Sequence, residues 1–537
     1  MANVEEEEEG ERPKRVNFRK ELLRYQSFRN QELQGSEEDV YDNKGSSIWR
    51  NFVSQCSATF LAIFAVIPSR NLQTSIHAAN ELGKISLVCM YGSYIIGCFL
   101  TGFILRRFKA KCLLLASLFF HILYSVANVI PSAFTLLPAS CLVGLCQPAF
   151  WSIQDCLLLA YGLRYSAMAA IPPQSALRLF QTVTIITIHS AQILGNLLSS
   201  GLISASDFHC EDEWELEGGH RYHLHHGNGS RHSPAHHLSD KVFRKEKWTY
   251  TLPFIPIQTR RSSDPSPPVN FYQLLTLVYL CMSVVAMGAV LIFFETPDVT
   301  LQRRIPGWRE KLRDVRKCLT DLRWLLVWFA AIYIGFAQGI IICDISKEYG
   351  SEVFGCFIVG YMMVSFGTGN LLAILLLERL RFCSTHPLFL ATGFLMNIGV
   401  LILTSLWKPM EGQPSHLLLY TALWGIVDGT QQSQVQAVVG RYAREERETA
   451  MTTFRVSQGV GLVLSFVLSL VTRSLMSSLY VALPLHVVGF LGLILTTNEV
   501  TSRERTSQQL EASPPHSPSN SSDSKVNGGY CDISGEV

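Results

Sequence analysis

Long apolar blocks, broken by short polar turns, run from about residue 51 to residue 498 of this 537-residue chain. A helix needs about 20 mainly apolar residues to cross the hydrocarbon of a bilayer. On that measure the chain predicts twelve spans. Six lie at 51–72, 86–105, 112–130, 134–160, 178–203 and 271–294, and six at 324–343, 353–377, 387–407, 416–440, 452–472 and 477–498. This divides the sequence into a polar tail at 1–47, five spans within 48–203, a long loop at 204–269 and a sixth span within 270–294. A basic linker at 295–323, six further spans within 324–498 and a second polar tail at 499–537 complete it. Both tails have the polar composition of disordered segments. The first opens with Glu5 to Glu9 and lacks the apolar core of a cleaved leader, so span one is expected to direct insertion itself.

Composition agrees with a membrane chain. Only 16% of residues are charged and 48% are hydrophobic, where soluble domains carry roughly 25% charged residues. A net charge of +2 argues against a nucleic-acid binder. The basic residues of the short loops gather on one side, and the short outer loops offer little beyond Lys347, Lys408 and Arg473. Arg106, Arg107, Lys109 and Lys111 follow span two, and Arg303, Arg304, Arg309, Lys311, Arg313, Arg316 and Lys317 follow span six. Arg379 and Arg381 follow span eight, and Arg441, Arg444 and Arg447 follow span ten. Lys and Arg accumulate on the cytoplasmic side of membrane proteins, which predicts that both tails are cytosolic and that the 204–269 loop is extracellular or luminal.

The two halves repeat. Trp151-Ser152-Ile153-Gln154-Asp155 in span four and Trp424-Gly425-Ile426-Val427-Asp428 in span ten are 273 positions apart. Ile104-Leu105-Arg106-Arg107-Phe108 closes span two as Leu376-Leu377-Glu378-Arg379-Leu380 closes span eight, at an offset of 272, and Phe180 answers Phe454 at 274. Nearly constant offsets imply two six-helix bundles in parallel orientation. The expected fold class is therefore an all-α membrane protein of twelve transmembrane helices, two parallel-repeat bundles in the manner of the major facilitator fold.

The residues also resemble a family. Leu136-Leu137-Pro138, Gly144 and Trp151-Ser152-Ile153-Gln154, with Leu423-Trp424-Gly425, Asp428, Gln434, Phe454-Arg455 and Gly461, are similar to the unc-93-like branch of the major facilitator superfamily. Arg50-Asn51 and Gln73 around span one fit as well, and the similarity covers about residues 48–498. Asp155 is not part of that pattern. The resemblance implies an accessory role: some members act as subunits of two-pore potassium channels, others escort Toll-like receptors from the endoplasmic reticulum.

Several residues are candidates for chemistry. An aspartate at a helix centre in lipid costs roughly 2.5–3.5 kcal/mol on insertion scales, so Asp155 and Asp428 are expected to face protein or a watery cavity. They serve either as proton- or cation-coupling groups or as hydrogen-bonded anchors. Arg455 is a candidate counter-ion, with Gln458 or water bridging to Asp428, or else it snorkels to the interface. Gln154, Trp151 and Trp424 flank the acids and complete the candidate cavity set. His121, His189 and His486 lie within spans and either switch charge or bond helices together. Gln181, Gln192, Gln431, Gln432, Gln434 and Gln436 add amides that hold helices together or line a path.

The long loop carries the glycosylation sequon Asn228-Gly229-Ser230, and its histidines His220, His223, His225, His226, His232, His236 and His237 lack metal-ligand spacing. Asn520-Ser521-Ser522 lies on the cytosolic side and is expected to stay unmodified. Tyr25 with Phe28, and Tyr530 with Ile533, match the sorting pattern read by clathrin adaptors. Ser513-Pro514 and Ser517-Pro518 are phosphorylation candidates. Among the cysteines, Cys56, Cys89, Cys98, Cys141, Cys146, Cys156, Cys281 and Cys356 read as small hydrophobes in apolar segments, and Cys112, Cys318, Cys383 and Cys531 as reduced cytosolic thiols. Cys210 stands in the external loop, with Cys343 as a candidate partner.

No phosphate loop, nucleophile elbow or HExxH motif is present, so neither enzyme activity nor a cofactor or metal is expected. The expected function is an accessory or trafficking partner of another membrane protein, first a two-pore potassium channel, in the plasma membrane bilayer. The competing expectations are a secondary transporter using Asp155 and Asp428, and an escort of innate immune receptors in endosomal or endoplasmic reticulum membranes.

Overall fold

A computed structural model describes residues 37–77, 81–205, 271–295, 322–379, 387–410, 412–442 and 447–512. These residues form helices and the turns between them, with no strand among them. The first group is α1 (Glu37–Ile76), α2 (Leu82–Arg107), α3 (Ala110–Val129), α4 (Ala133–Met168), α5 (Pro173–Ala205) and α6 (Phe271–Phe293). The second is α7 (Leu322–Gly339), α8 (Phe357–Arg379), α9 (Pro387–Leu406), α10 (Pro414–Tyr442), α11 (Arg447–Thr472) and α12 (Leu475–Ala512). A π-helical stretch, Ile340–Ser351, and a single turn, Glu352–Phe354, continue α7.

Among the described residues, ten helices are long and apolar enough to cross a membrane, counting α7 and its continuation as one. The chain is thus a helical membrane protein with several spans. α5 and α10 fall outside those ten, and the reason is in their sequences. α5 carries Gln181, His189, Gln192 and Asn196, and α10 carries Asp428 and four glutamines.

Three helices outrun their apolar blocks. α1 begins at Glu37 rather than near 51, α7 continues to Phe354 rather than stopping near 343, and α12 runs to Ala512 rather than to 498. Hydropathy marks where lipid ends. Backbone hydrogen bonds of a helix need not end there. α4 does begin on a local signal: Ser132 and Thr135 form a reciprocal capping box, in which the Thr135 N–H donates to the Ser132 hydroxyl and the Ser132 N–H to the Thr135 hydroxyl.

Successive helices alternate between two rims. One rim, named here for Glu81, gathers the end of α1, the start of α2, the end of α5 and the starts of α8 and α12. The Lys111 rim lies opposite, where the Lys111 ammonium donates to the carbonyl of Phe294 at 2.8 Å. Each half is built around one tight pair, α2 against α4 and α8 against α10. Glycine permits the close approach. A methyl placed on Gly144 would stand 1.9 Å from the Met90 carbonyl oxygen, and one on Gly425 would stand 2.0 Å from that of Phe366. The halves meet along two seams, α2 with α11 and α5 with α8. At the Glu81 rim, Glu81 lies 3.1 Å from Lys84 and 3.5 Å from Arg473 of the other half.

Candidate functional site

Asp428 stands at the midpoint of α10, fourteen residues from either end. It is 7% exposed. Its carboxylate accepts from Asn370 Nδ2 of α8 at 2.7 Å and from Gln338 Nε2 of α7 at 3.2 and 3.3 Å. Gln338 in turn accepts from Gln458 Nε2 of α11 at 3.0 Å. The acid is therefore held by neutral amides, all from its own half of the chain. A buried carboxylate that gains such donors is a strong tie between helices.

A second polar cluster lies beside it. Tyr333 donates to Asn397 Oδ1, Asn397 donates to Gln431 Oε1, and Gln431 Nε2 pairs with His486 Nδ1 at 3.3 Å. Gln434 donates to the Phe389 carbonyl at 2.8 Å. In the first half, Gln154 accepts from Gln55 of α1 and donates to Thr59 Oγ1 at 2.7 Å. Gln181 and Gln436, by contrast, are exposed. His121 stands edge-on to Phe150 at 5.8 Å, and His486 stacks on Phe394 at 4.8 Å.

Asp155 has a different setting. Its carboxylate pairs with the Arg455 guanidinium, which also donates to Ser152 Oγ at 2.9 Å. Asp155 belongs to α4 and Arg455 to α11, so this contact ties the two halves. The side chain of Asp155 is 66% exposed and that of Arg455 is 25% exposed. Arg455 thus neither snorkels away nor serves Asp428. Gln458 reaches Asp428 through Gln338.

The helix crossings account for the difference. Gly97 of α2 lies opposite Leu145 of α4, and Gly369 of α8 lies opposite Ala422 of α10. Both glycines precede by ten residues the arginine that closes their helix, Arg107 and Arg379. Asp155 is ten residues past its crossing and Asp428 is six. Four residues are about 6 Å of helix, so Asp428 sits one turn deeper than the matched motif implies.

The two tryptophans diverge as well. Trp424 is 2% exposed, and its Nε1 donates to Tyr420 Oη at 2.8 Å. Trp151 is half-buried and packs edge-on to Phe150. Asn228, Tyr25, Phe28, Tyr530 and Ile533 lie outside the described residues.

Gln338, Asn370, Asn397 and Gln55 were not singled out by sequence, although a lone amide in an apolar run was a usable signal. Cys356 corrects a sequence expectation: it is disulfide-bonded rather than a packed thiol. Cys343 is a second correction, since it is free, buried and 3.3 Å from Ser469 Oγ. Among the described residues, no group of three or more His, Cys, Asp or Glu side chains is placed to hold a metal.

No family model matches the chain. Protein unc-93 homolog A of Bos taurus is 24% identical over 417 residues, which is 76% of this chain and 84% of that protein. Its relatives are the unc-93 proteins. A further unc-93 relative, from Caenorhabditis elegans, is provisionally named a potassium channel regulatory protein. It is 22% identical over 423 residues, which is 77% of this chain and 56% of that protein. Among solved structures, a variant of the E. coli fucose:proton symporter FucP superposes with a TM-score of 0.51 at 13% identity, covering 83% of this chain and 98% of that one. The unc-93-like chain therefore shares the fold of major facilitator transporters, and a shared fold leaves the activity open.

Proposed function

We propose that this unc-93-like chain is an accessory subunit of another membrane protein, and that a two-pore potassium channel is the first partner to test. In this reading it has twelve spans in two parallel-repeat bundles. Both tails are cytosolic, the Glu81 rim is extracellular, and Asn228 is glycosylated. The named role of the Caenorhabditis elegans relative supports the assignment. The basic segments that flank the Lys111 rim support the orientation.

The observation that carries the reading is the state of Asp428. A coupling acid must exchange protons or ions with water, whereas this one is buried and hydrogen-bonded to Gln338 and Asn370. Such a network fixes helices. Co-expression with the channel is expected to change its current or surface density, and the two proteins are expected to co-purify. Unaltered currents together with no association would defeat the proposal.

A transporter reading draws on one separate observation, the half-exposed Asp155–Arg455 pair between the halves. A solute or ion entering from the Lys111 rim would meet it. Vesicles carrying the protein would then show gradient-driven flux that Asp155→Asn reduces. Flux equal to that of empty vesicles across a broad solute panel excludes it.

A further inference from the structure

The Glu81 rim holds a cavity of about 400 Å³, within the range of about 300–1,000 Å³ usual for small-molecule sites. Its walls carry charges of both signs. Lys84 of α2 reaches it from the first half. The second half supplies Asp344, Lys347, Glu348 and Glu352 from the π-helical stretch and the turn after it. Lys408 joins them from beyond α9, and Arg473 from beyond α11.

Two of these charges are deep. Lys84 and Asp344 are each 4% exposed, and a buried charge is costly unless it is paired and hydrogen-bonded. The Lys84 ammonium lies 3.1 Å from Glu81, and Asp344 accepts from Ser478 at 2.7 Å. An ammonium can donate to more than one partner, so Glu81 does not exhaust Lys84. The outer charges are freer. Lys347, Lys408 and Glu352 form no ion pair with another described residue.

The backbone is strained at the same place. Glu81 has φ 56° and Arg473 φ 50°, in the left-handed region that favours glycine. Side chains held at such positions cluster at functional sites. Here Arg473 lines the cavity, and Glu81 holds both Arg473 and Lys84.

The pattern of charge selects a ligand. A lone anion drawn to Lys84 and Lys347 would meet the repulsion of Asp344, Glu348 and Glu352. A lone cation would meet the converse. With Glu81 included, four cations face four acids, and a molecule with both signs satisfies both sets.

We propose that this cavity binds a small zwitterion, with a primary ammonium for the carboxylates and a carboxylate or phosphate for the lysines and Arg473. Charge-assisted hydrogen bonds to the acids need N–H donors, which favours an ammonium over a quaternary nitrogen. Two sources carry this chemistry, a free amino acid and the headgroup of phosphatidylethanolamine. The span of α2 begins at Leu82, two residues before Lys84, so a headgroup stands at the same level. Either occupant would bridge Lys84 of one half to the charges of the other beside the α2–α11 seam. The inference goes beyond the accessory role and needs neither the orientation nor the channel proposed above.

For the test, full-length protein, delipidated in detergent, is dialysed to equilibrium against radiolabelled L-serine and, separately, radiolabelled phosphoethanolamine. Saturable binding of at least one is expected, without displacement by ethanolamine, acetate or inorganic phosphate at the same concentration. Lys347→Ala, Lys408→Ala and Lys84→Met should each weaken it about tenfold. Lys109→Ala, at the opposite rim, should leave it unchanged. Lys408 is exposed and Lys347 half-buried, so their variants decide the outcome even where Lys84→Met does not fold. The source is read in phosphatidylcholine nanodiscs. Added phosphatidylethanolamine suppresses the binding where a headgroup is the occupant and leaves it intact where a free amino acid is. No saturable binding of either probe, equal binding of phosphate or ethanolamine alone, or binding indifferent to the lysine variants of the cavity overturns the inference.

Discussion

The stretches that begin at Trp151 and Trp424 differ first in what surrounds them. Trp424 is enclosed and hydrogen-bonded to Tyr420, whereas Trp151 is half-buried against Phe150. The second position separates them again. Gly425 lets α10 touch the backbone of α8, while Ser152 offers its hydroxyl to Arg455. At the fifth, Asp428 binds amides within its own half, and Asp155 binds a cation of the other. Two stretches that share a tryptophan and an aspartate at the same spacing thus do different work: one fixes helices within its group, the other joins the two groups.

The largest effect expected to test this contrast comes from the tryptophans. Trp424→Ala should cost about 3–5 kcal/mol, as for a buried aromatic, and Trp151→Ala less than half as much. Melting temperatures of the purified proteins in detergent would report it, and equal losses would break the contrast.

A titration comes next, because acid sensitivity must not be credited to the wrong group. His77 lies just beyond α1, hydrogen-bonded to Asn128, and burial pushes its pKa down to about 4 from 6.5. In the intermediate range the unfolded chain binds a proton that the folded one refuses. Stability is then complete above pH 6.5 and falls as pH drops toward 4, by about 3 kcal/mol at most. His77→Asn should flatten that limb in melts between pH 7.5 and 4.5.

Asp428→Ala leaves the Asn370 and Gln338 amides without their acceptor, for about 2–3 kcal/mol. Asp428→Asn keeps one acceptor and should lose about 1 kcal/mol. If Asp155→Ala cost as much as Asp428→Ala, the division of labour would fail.

The smallest effect is the Asp155–Arg455 coupling. Exposed pairs are worth roughly 0.2–1 kcal/mol, and a double-mutant cycle should return a value in that range. Its sharper readout is maleimide labelling of Ser152→Cys. Labelling should quicken when Arg455→Ala releases the contact between the halves.

Much of the scaffold was legible in the sequence. Apolar runs located the helical segments to within a few residues where lipid sets the boundary, as at α2, α3 and α9. They missed the polar extensions of α1 and α12, because hydropathy carries no signal for a helix beyond its apolar run. The π-helical stretch from Ile340 carries no periodicity that marks it. In the site, Asp155, Asp428 and Arg455 stood out as charges in apolar surroundings. Their partners did not. Arg455 meets Asp155 across 300 positions of chain, and a one-turn offset between helix crossings has no signature in either motif. Cys356 read as a hydrophobe because its neighbours are apolar, yet it is disulfide-bonded.

The last helix carries a consequence of its own. Its apolar part ends by Glu499, and thirteen more residues continue in the same helical path. At 1.5 Å per residue they form a spar of about 20 Å, so whatever grips the chain after Ala512 is held clear of the headgroups. An adaptor, a channel terminus or a fused fluorophore attached there would work at a fixed stand-off from the membrane.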